Sequence, residues 1–308
     1  MFLTVCLNPT IQKTLHFSSV IPGTVNRTGI HRLDVSGKGI NVTRVLSQLG
    51  KKALHLTQLG GDLRSLFLSL CEQDRLNIKW AESKSQIRFC YTIINENDGS
   101  VTEYVEESAA VDEGTEERLL KEFDSVLYGA ADLKCLIISG TKAAGFSHAV
   151  ISAMVKKAKD KGLKVILDIK GNDLIESLKY QPDVIKPNLF EFAATFAPEL
   201  IKDNDLINEN DAIKEKIKSI ILDITQKYQC HIILTNGGKK IIAAEGNNFF
   251  EVDVQPFKAV NSTGCGDAFT AGFASVFEDG ANFKEAIAEG MRCGILNAGF
   301  EKPGVIKD

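Results

Sequence analysis

No stretch of this sequence is apolar for the length a bilayer-spanning helix needs. Its first residues, MFLTVCLNPT, lack the basic segment and long apolar run of a secretory leader. The expectation is a cytoplasmic protein with no membrane partner. An excess of one charge is missing as well: 36 Lys and Arg stand against 40 Asp and Glu, a net charge of −4, so there is no basic footprint for nucleic acid. The seven cysteines, at 6, 71, 90, 135, 230, 265 and 293, are odd in number and widely spread with no C-x-x-C pair, and the five histidines are isolated. Neither a disulfide frame nor a zinc site is indicated. Internal repeats, low-complexity tracts and Pro/Ser-rich linkers are also lacking.

What is present is an ordinary globular composition, 44% hydrophobic and 25% charged over 308 residues, enough for a sizeable core. Short β-branched or apolar runs alternate with longer helical patterns. Strands are expected at Phe2–Leu7, Ala53–Gln58, Cys135–Ser139, Val165–Asp168, Val184–Lys186, His231–Thr235, Lys240–Ala244 and Phe249–Val254. Between them Val42, Val45, Leu46 and Leu49 mark one face of a helix over Ile40–Leu49, which Gly50 ends. Such alternation predicts α/β architecture, a doubly wound and mainly parallel sheet flanked by helices, as one domain over residues 1–308. Residues 87–105 break the pattern with two strands around an Asn-Asp-Gly turn. With Thr14–Phe17 and Thr28–Asp34 they are expected to form a small β-sheet lid, built from about 10–35 and 87–106, over the carboxyl ends of the main strands.

Two glycine loops carry the chemical signal. In STGCGDAF the amides of Gly264, Cys265 and Gly266 precede a buried apolar helix, and a helix N-terminus favours an anion. Asp267 beside them is placed to take a proton from an attacking hydroxyl; the alternative is a first-turn acid that only complements the helix dipole. The second loop, SGKGINVTRVL, brings Gly37, a cation at Lys38 and a hydrogen-bonding amide at Asn41 to the start of the 40–49 helix. It is not a Walker loop. Arg88 opens the lid hairpin on the face opposite Ile87, Phe89 and Tyr91, suited either to closing on a phosphate or to lying on an exposed edge. Asn188 with Glu191 three residues on also has the spacing of a capping box.

Taken together, LNPT near the start, VNRT at 25–28, GKGIN at 37–41, IKPN..E at 185–191 and NSTGCGDAFTAGF resemble, in order and over nearly the whole chain, the ribokinase (PfkB) family of carbohydrate kinases. The set is most similar to the hexose-phosphate branch that contains 1-phosphofructokinase and tagatose-6-phosphate kinase. The resemblance implies a ribokinase-like fold and ATP-dependent transfer to a primary hydroxyl of a ketohexose monophosphate, with fructose-1-phosphate and tagatose-6-phosphate as first candidates. It implies Asp267 as catalytic base, with the Gly264, Cys265 and Gly266 amides as anion hole. Gln12, Arg27, Gly37, Lys38, Asn41 and Arg88 would surround the phosphorylated sugar. Asn188, Thr235, Asn236, Gly237, Gly238, Thr263 and Asn297 would surround ATP. Asn188 and Glu191 would organise Mg²⁺ through water, and the family admits a monovalent cation and a homodimer formed through the lid. The alternatives are a ribokinase-like kinase for another sugar or a nucleoside, and a non-catalytic sugar-phosphate or nucleotide sensor. Three departures bear on the substrate. Gln12 stands where the branch commonly has Asp, Ser36 replaces one glycine of the first signature, and GTKAAG occupies 140–145.

Overall fold

The structure, a computed structural model, describes residues 1–202, 205–206 and 211–307. In chain order the first elements are β1 (Phe2–Leu7), β2 (Thr10–Phe17), β3 (His31–Ser36), α1 (Lys38–Gln48), β4 (Ala53–Leu59), α2 (Arg64–Gln73), β5 (Ile78–Glu82), β6 (Arg88–Asn95) and β7 (Ser100–Val105). Next come α3 (Thr115–Gly129), β8 (Cys135–Lys142), α4 (Val150–Asp160), β9 (Lys164–Asp168), α5 (Gly171–Leu178), β10 (Val184–Ile185), α6 (Leu189–Phe196), β11 (Ile201–Lys202) and β12 (Asp205–Leu206). The chain closes with α7 (Asp211–Tyr228), β13 (His231–Thr235), β14 (Lys240–Glu245), β15 (Asn248–Asp253), α8 (Cys265–Phe277) and α9 (Phe283–Ala298).

Among the described residues the main sheet has nine strands in the order β15-β14-β13-β10-β9-β8-β1-β4-β5. Pairing is parallel from β13 through β5, and β14 and β15 add an antiparallel edge. Strand β1 is buried along its length, FLTVCL, as a central parallel strand covered on both faces must be. One face packs against α3 to α7 through Phe123, Met154, Leu174, Phe192 and Ile221; the other packs against α1, α8 and α9 through Val42, Phe269, Phe273 and Phe283. Helix α8 is apolar nearly all round because α1, α9 and the sheet enclose it.

Chain order reverses at β1, whose neighbours are β8 on one side and β4 on the other. In open α/β sheets such a reversal leaves a crevice beyond the carboxyl ends of the strands. Four strands, β3-β2-β6-β7, form the smaller sheet beside that crevice.

Most expected elements form with shifts of a residue or a few. Strand β5 was not anticipated: its IKWAE buries Ala81 alone, so no alternation announces it. The strand expected over 28–34 lies instead at His31–Ser36, and β2 starts at Thr10 rather than Thr14. Pairing explains both differences, since Thr10 through Leu15 lie opposite Ser36 through His31 and set the ends of both strands.

Candidate active site

The crevice is lined by two adjoining cavities. One, of about 350 Å³, has Gln12, Gly37, Lys38, Asn41, Arg88 and Asp267 in its wall. Its neighbour, of about 360 Å³, is lined by Gly237, Gly238, Cys265, Phe269, Met291 and Gly294 among others. Asn188, Thr235 and Gly266 belong to both walls and mark where the cavities meet.

Both glycine loops reach this junction through close packing. Gly39 at the start of α1 lies so near β1 and β4 that a Cβ would come within 2.7 Å of His55 Cε1 and 2.8 Å of Cys6 Cβ. Gly264 caps α8 with φ +82, and a Cβ there would meet Pro303 Cβ at 2.9 Å. Glycine is therefore required at 264 for conformation as well as space. The Gly264 and Gly266 amides have no acceptor among the described residues and stand at the positive end of α8. The expected set of three amides is reduced by one, because Cys265 N–H turns back to Ser262 O at 3.3 Å.

Asp267, in the first turn of α8, is only 6% exposed. Asn41 Nδ2 donates to its Oδ2 at 2.8 Å. The Asn41 amide is itself fixed, since Arg44 Nη1 donates to Asn41 Oδ1 at 2.9 Å. Arg44 also donates to Val35 O and Pro303 O and pairs with Asp74, so its guanidinium is held on every side. Asn41 therefore presents its amide nitrogen, and its carbonyl is already in use. Burial pushes the Asp267 carboxyl up to about 7; Lys38, Asn41 and Lys186 oppose this, and the neighbouring Asp168 adds to it.

Asp168 ends β9 and was missed in the sequence, as was Lys186. Its carboxylate accepts from Ser139 Oγ at 3.1 Å and Thr270 Oγ1 at 3.3 Å, with Lys186 Nζ at 3.3 Å and Lys38 Nζ at 3.5 Å. Burial works against ionisation there, but the two lysines and the Ser139 hydroxyl outweigh it and hold Asp168 below the usual carboxylate range. Asp168 in turn raises Lys38, which stays protonated. Strand-end position was the available signal for Asp168, and Lys186 lay inside the IKPN stretch.

Asn188 and Glu191 do form a capping box: Asn188 Oδ1 accepts from Glu191 N at 2.7 Å, and Glu191 Oε2 accepts from Asn188 N at 3.1 Å. Glu191 Oε1 lies outside the box, 3.6 Å from Lys38 Nζ and 3.7 Å from Lys170 Nζ. Arg88 lines the first cavity and donates through Nη1 to Glu106 O, while its buried Nε has no partner.

Three expected residues lie elsewhere. Arg27 is exposed in the β2–β3 connection and lines neither cavity. Asn236 lines a separate cavity beside Lys214 and Phe249. Asn297 is fully buried: its amide nitrogen donates to Thr263 O at 3.0 Å and its oxygen accepts from Gly304 N at 2.7 Å, which makes it a brace behind the loop. Cys265 lines the second cavity, and burial raises its thiol above the usual range.

The fold and this crevice define a ribokinase-like α/β protein. Residues 6–304 match the pfkB family carbohydrate kinase, so the chain belongs to that family and is a sugar kinase. It is similar to phosphofructokinase-2 from Escherichia coli, at 21% identity and TM-score 0.83 over 96% of this chain and 93% of that one. A possible 1-phosphofructokinase from Thermotoga maritima gives 22% identity and TM-score 0.82 over 98% of this chain and 92% of that one. A putative phosphofructokinase from Staphylococcus aureus gives 22% and 0.72 over 98% and 93%. No helix among the described residues is long and apolar enough to cross a membrane.

Proposed function

We propose that this protein is an ATP- and Mg²⁺-dependent kinase that phosphorylates a primary hydroxyl of a ketohexose monophosphate, with fructose-1-phosphate and tagatose-6-phosphate as first candidates. The observation that carries the reading is Asp267. A buried carboxyl near neutrality, held by Asn41 and lying beside two unpartnered amides, suits a general base next to a transferring phosphoryl group.

In this reading the acceptor lies in the Lys38 and Arg88 cavity, and the nucleotide lies in the Gly237 and Met291 cavity. Their reacting ends meet at Asn188, Thr235 and Gly266. Asp267 takes the proton of the attacking hydroxyl as the γ-phosphoryl group moves to that oxygen. The Gly264 and Gly266 amides, Lys38 and Lys186 stabilise the charge on the moving group. Arg88, with its unused Nε, binds the phosphate the sugar already carries. Thr235, Gly237 and Gly238 lie along the nucleotide path, and Thr263 lines the acceptor cavity beside the glycine loop.

The donors available for Mg²⁺ are Glu191 Oε1, Asp168 and Asn188. No group of three or more metal-binding side chains forms among the described residues. That sparse set fits an ion that keeps phosphate and water as most of its ligands. When bound, the ion would neutralise the nucleotide's phosphates. The small sheet acts as a lid that limits wasteful hydrolysis of ATP. A homodimer through that sheet is supported by Tyr104, 62% exposed on the edge strand β7.

The test is coupled ADP release over a panel of ketohexose monophosphates, unphosphorylated sugars and nucleosides. Substrate-dependent release confined to sugar phosphates is expected. Release with nucleosides or free sugars instead, or binding without turnover, would overturn the assignment.

A further inference from the structure

Glu103 lies on the face of β7 that lines the first cavity. Strand alternation and register put it beside Gln12, Arg88, Cys90 and Thr92: Thr92 is opposite Glu103, Gln12 is opposite Cys90, and Gln12 Nε2 donates to Thr92 Oγ1. Its situation differs from that of every other carboxylate in this wall. Asp168 is held between Lys38 and Lys186, Glu191 is in its capping box near Lys38 and Lys170, and Asp267 accepts from Asn41. Glu103 has no cation within ion-pair distance among the described residues. It accepts a single neutral hydrogen bond, from Thr263 Oγ1 at 3.0 Å, across 160 residues of sequence.

Thr263 immediately precedes Gly264. Its backbone is pinned, with its N–H donated to Asn261 Oδ1 and its carbonyl accepting from Asn297 Nδ2. The hydroxyl is the part free to turn, and it carries one proton to donate. A phosphoryl group entering the Gly264 to Gly266 loop competes for that proton and repels the carboxylate. That would free Glu103, exposed on β7, to turn into the cavity. A hydroxyl-rich acceptor needs acceptors as well as donors there. Asn41 Oδ1 already accepts from Arg44 and one of the two Gln12 amide protons already goes to Thr92, and neither neutral amide supplies a charged acceptor.

Resting on the proposed sugar-phosphate reading, we propose that Glu103 is a specificity-determining residue: its carboxylate accepts a hydrogen bond from one non-reacting hydroxyl of the sugar. It supplies the charged acceptor that Gln12 cannot.

The test compares wild type, Glu103→Ala and Glu103→Gln, using the best ketohexose monophosphate and its monodeoxy analogues, each lacking one hydroxyl. Expected is a rise in KM for the sugar phosphate that lowers kcat/KM by roughly ten- to hundred-fold in Glu103→Ala, the size of a charge-assisted hydrogen bond, with a smaller fall in Glu103→Gln. KM for ATP should hardly change. With one analogue, and only that one, the penalty should vanish, a pattern that a general loss of lid stability would not produce. An equal penalty across all analogues, an equal effect on ATP, or a shift in Mg²⁺ dependence alone would overturn the role of Glu103. Wild type that turns over no sugar phosphate at all would remove the underlying reading and this one with it.

Discussion

Asn41 Nδ2 lies 2.8 Å from Asp267 Oδ2, a bond that joins the first turns of α1 and α8 across 226 residues of sequence. It ties the cationic loop around Lys38 to the anion loop at Gly264, and it is the contact on which the proposed chemistry turns.

The first consequence is a pH profile. A base must be ionised to act, and Asp267 is pushed up to about 7. We expect kcat/KM to rise through neutrality with an inflection near that value and to level off above it. Lys38 lowers the Asp267 value, so Lys38→Met should move the inflection to higher pH. An inflection left unmoved would separate Lys38 from the base.

Stability carries the same signature with the opposite benefit. The folded-state value of Asp267 lies above its ordinary 3.8, so the native state holds the extra proton between those limits. Stability contributed by that proton is present at low pH and is lost as pH rises toward 7. Asp267→Asn removes the titration. Its Tm relative to wild type should therefore be higher at pH 8 than at pH 4, as thermal melts at the two values will show.

Arg44 is predicted to matter both for the fold and for the site. It is 6% exposed and bonded to Asn41, Val35, Pro303 and Asp74. Arg44→Met leaves Asp74 near Lys302 but releases the Asn41 amide. Loss of about 3 kcal/mol in denaturant unfolding is expected from breaking a buried pair. The activity inflection should also rise, because a freed Asn41 holds the Asp267 carboxylate less well.

Arg88→Gln is expected to raise KM for the sugar phosphate by roughly ten-fold or more while leaving KM for ATP nearly unchanged. Equal rises would move Arg88 away from the acceptor's phosphate.

The parts of this picture legible in the sequence were those with local causes. Strands β1 and β13 follow from short runs of apolar and β-branched residues, FLTVCL and HIILT. The end of α1 follows from Gly50, whose N–H bonds Ser47 O while Lys51 N–H bonds Leu46 O. The two glycine loops announced themselves because close backbone approach leaves few other residues acceptable. Partners brought together by long-range packing were not legible. Nothing local distinguishes Asp168 from any strand-end acid, or marks Glu103, exposed on its hairpin, as the partner of Thr263. Asn297 and Asn236 had suitable chemistry at suitable positions, but their side chains are turned elsewhere, and the β2–β3 connection leaves Arg27 outside the crevice. Arg44 lies off the apolar face marked by Val42, Val45, Leu46 and Leu49; the segment at Pro303 and the acid at Asp74 make it an interior residue.

The central claim is that Asp267 is the base in phosphoryl transfer to a sugar phosphate, and the most direct measurement pairs turnover with ATP binding in Asp267→Asn. Asparagine keeps the size and can still accept from Asn41, but it cannot take a proton. We predict that ADP release dependent on the sugar phosphate falls by at least about a thousand-fold, within the range that loss of general-base catalysis spans, while ATP affinity measured by calorimetry changes by no more than a few-fold. A variant that retains most of its turnover, or one that loses ATP binding in parallel, would contradict the account.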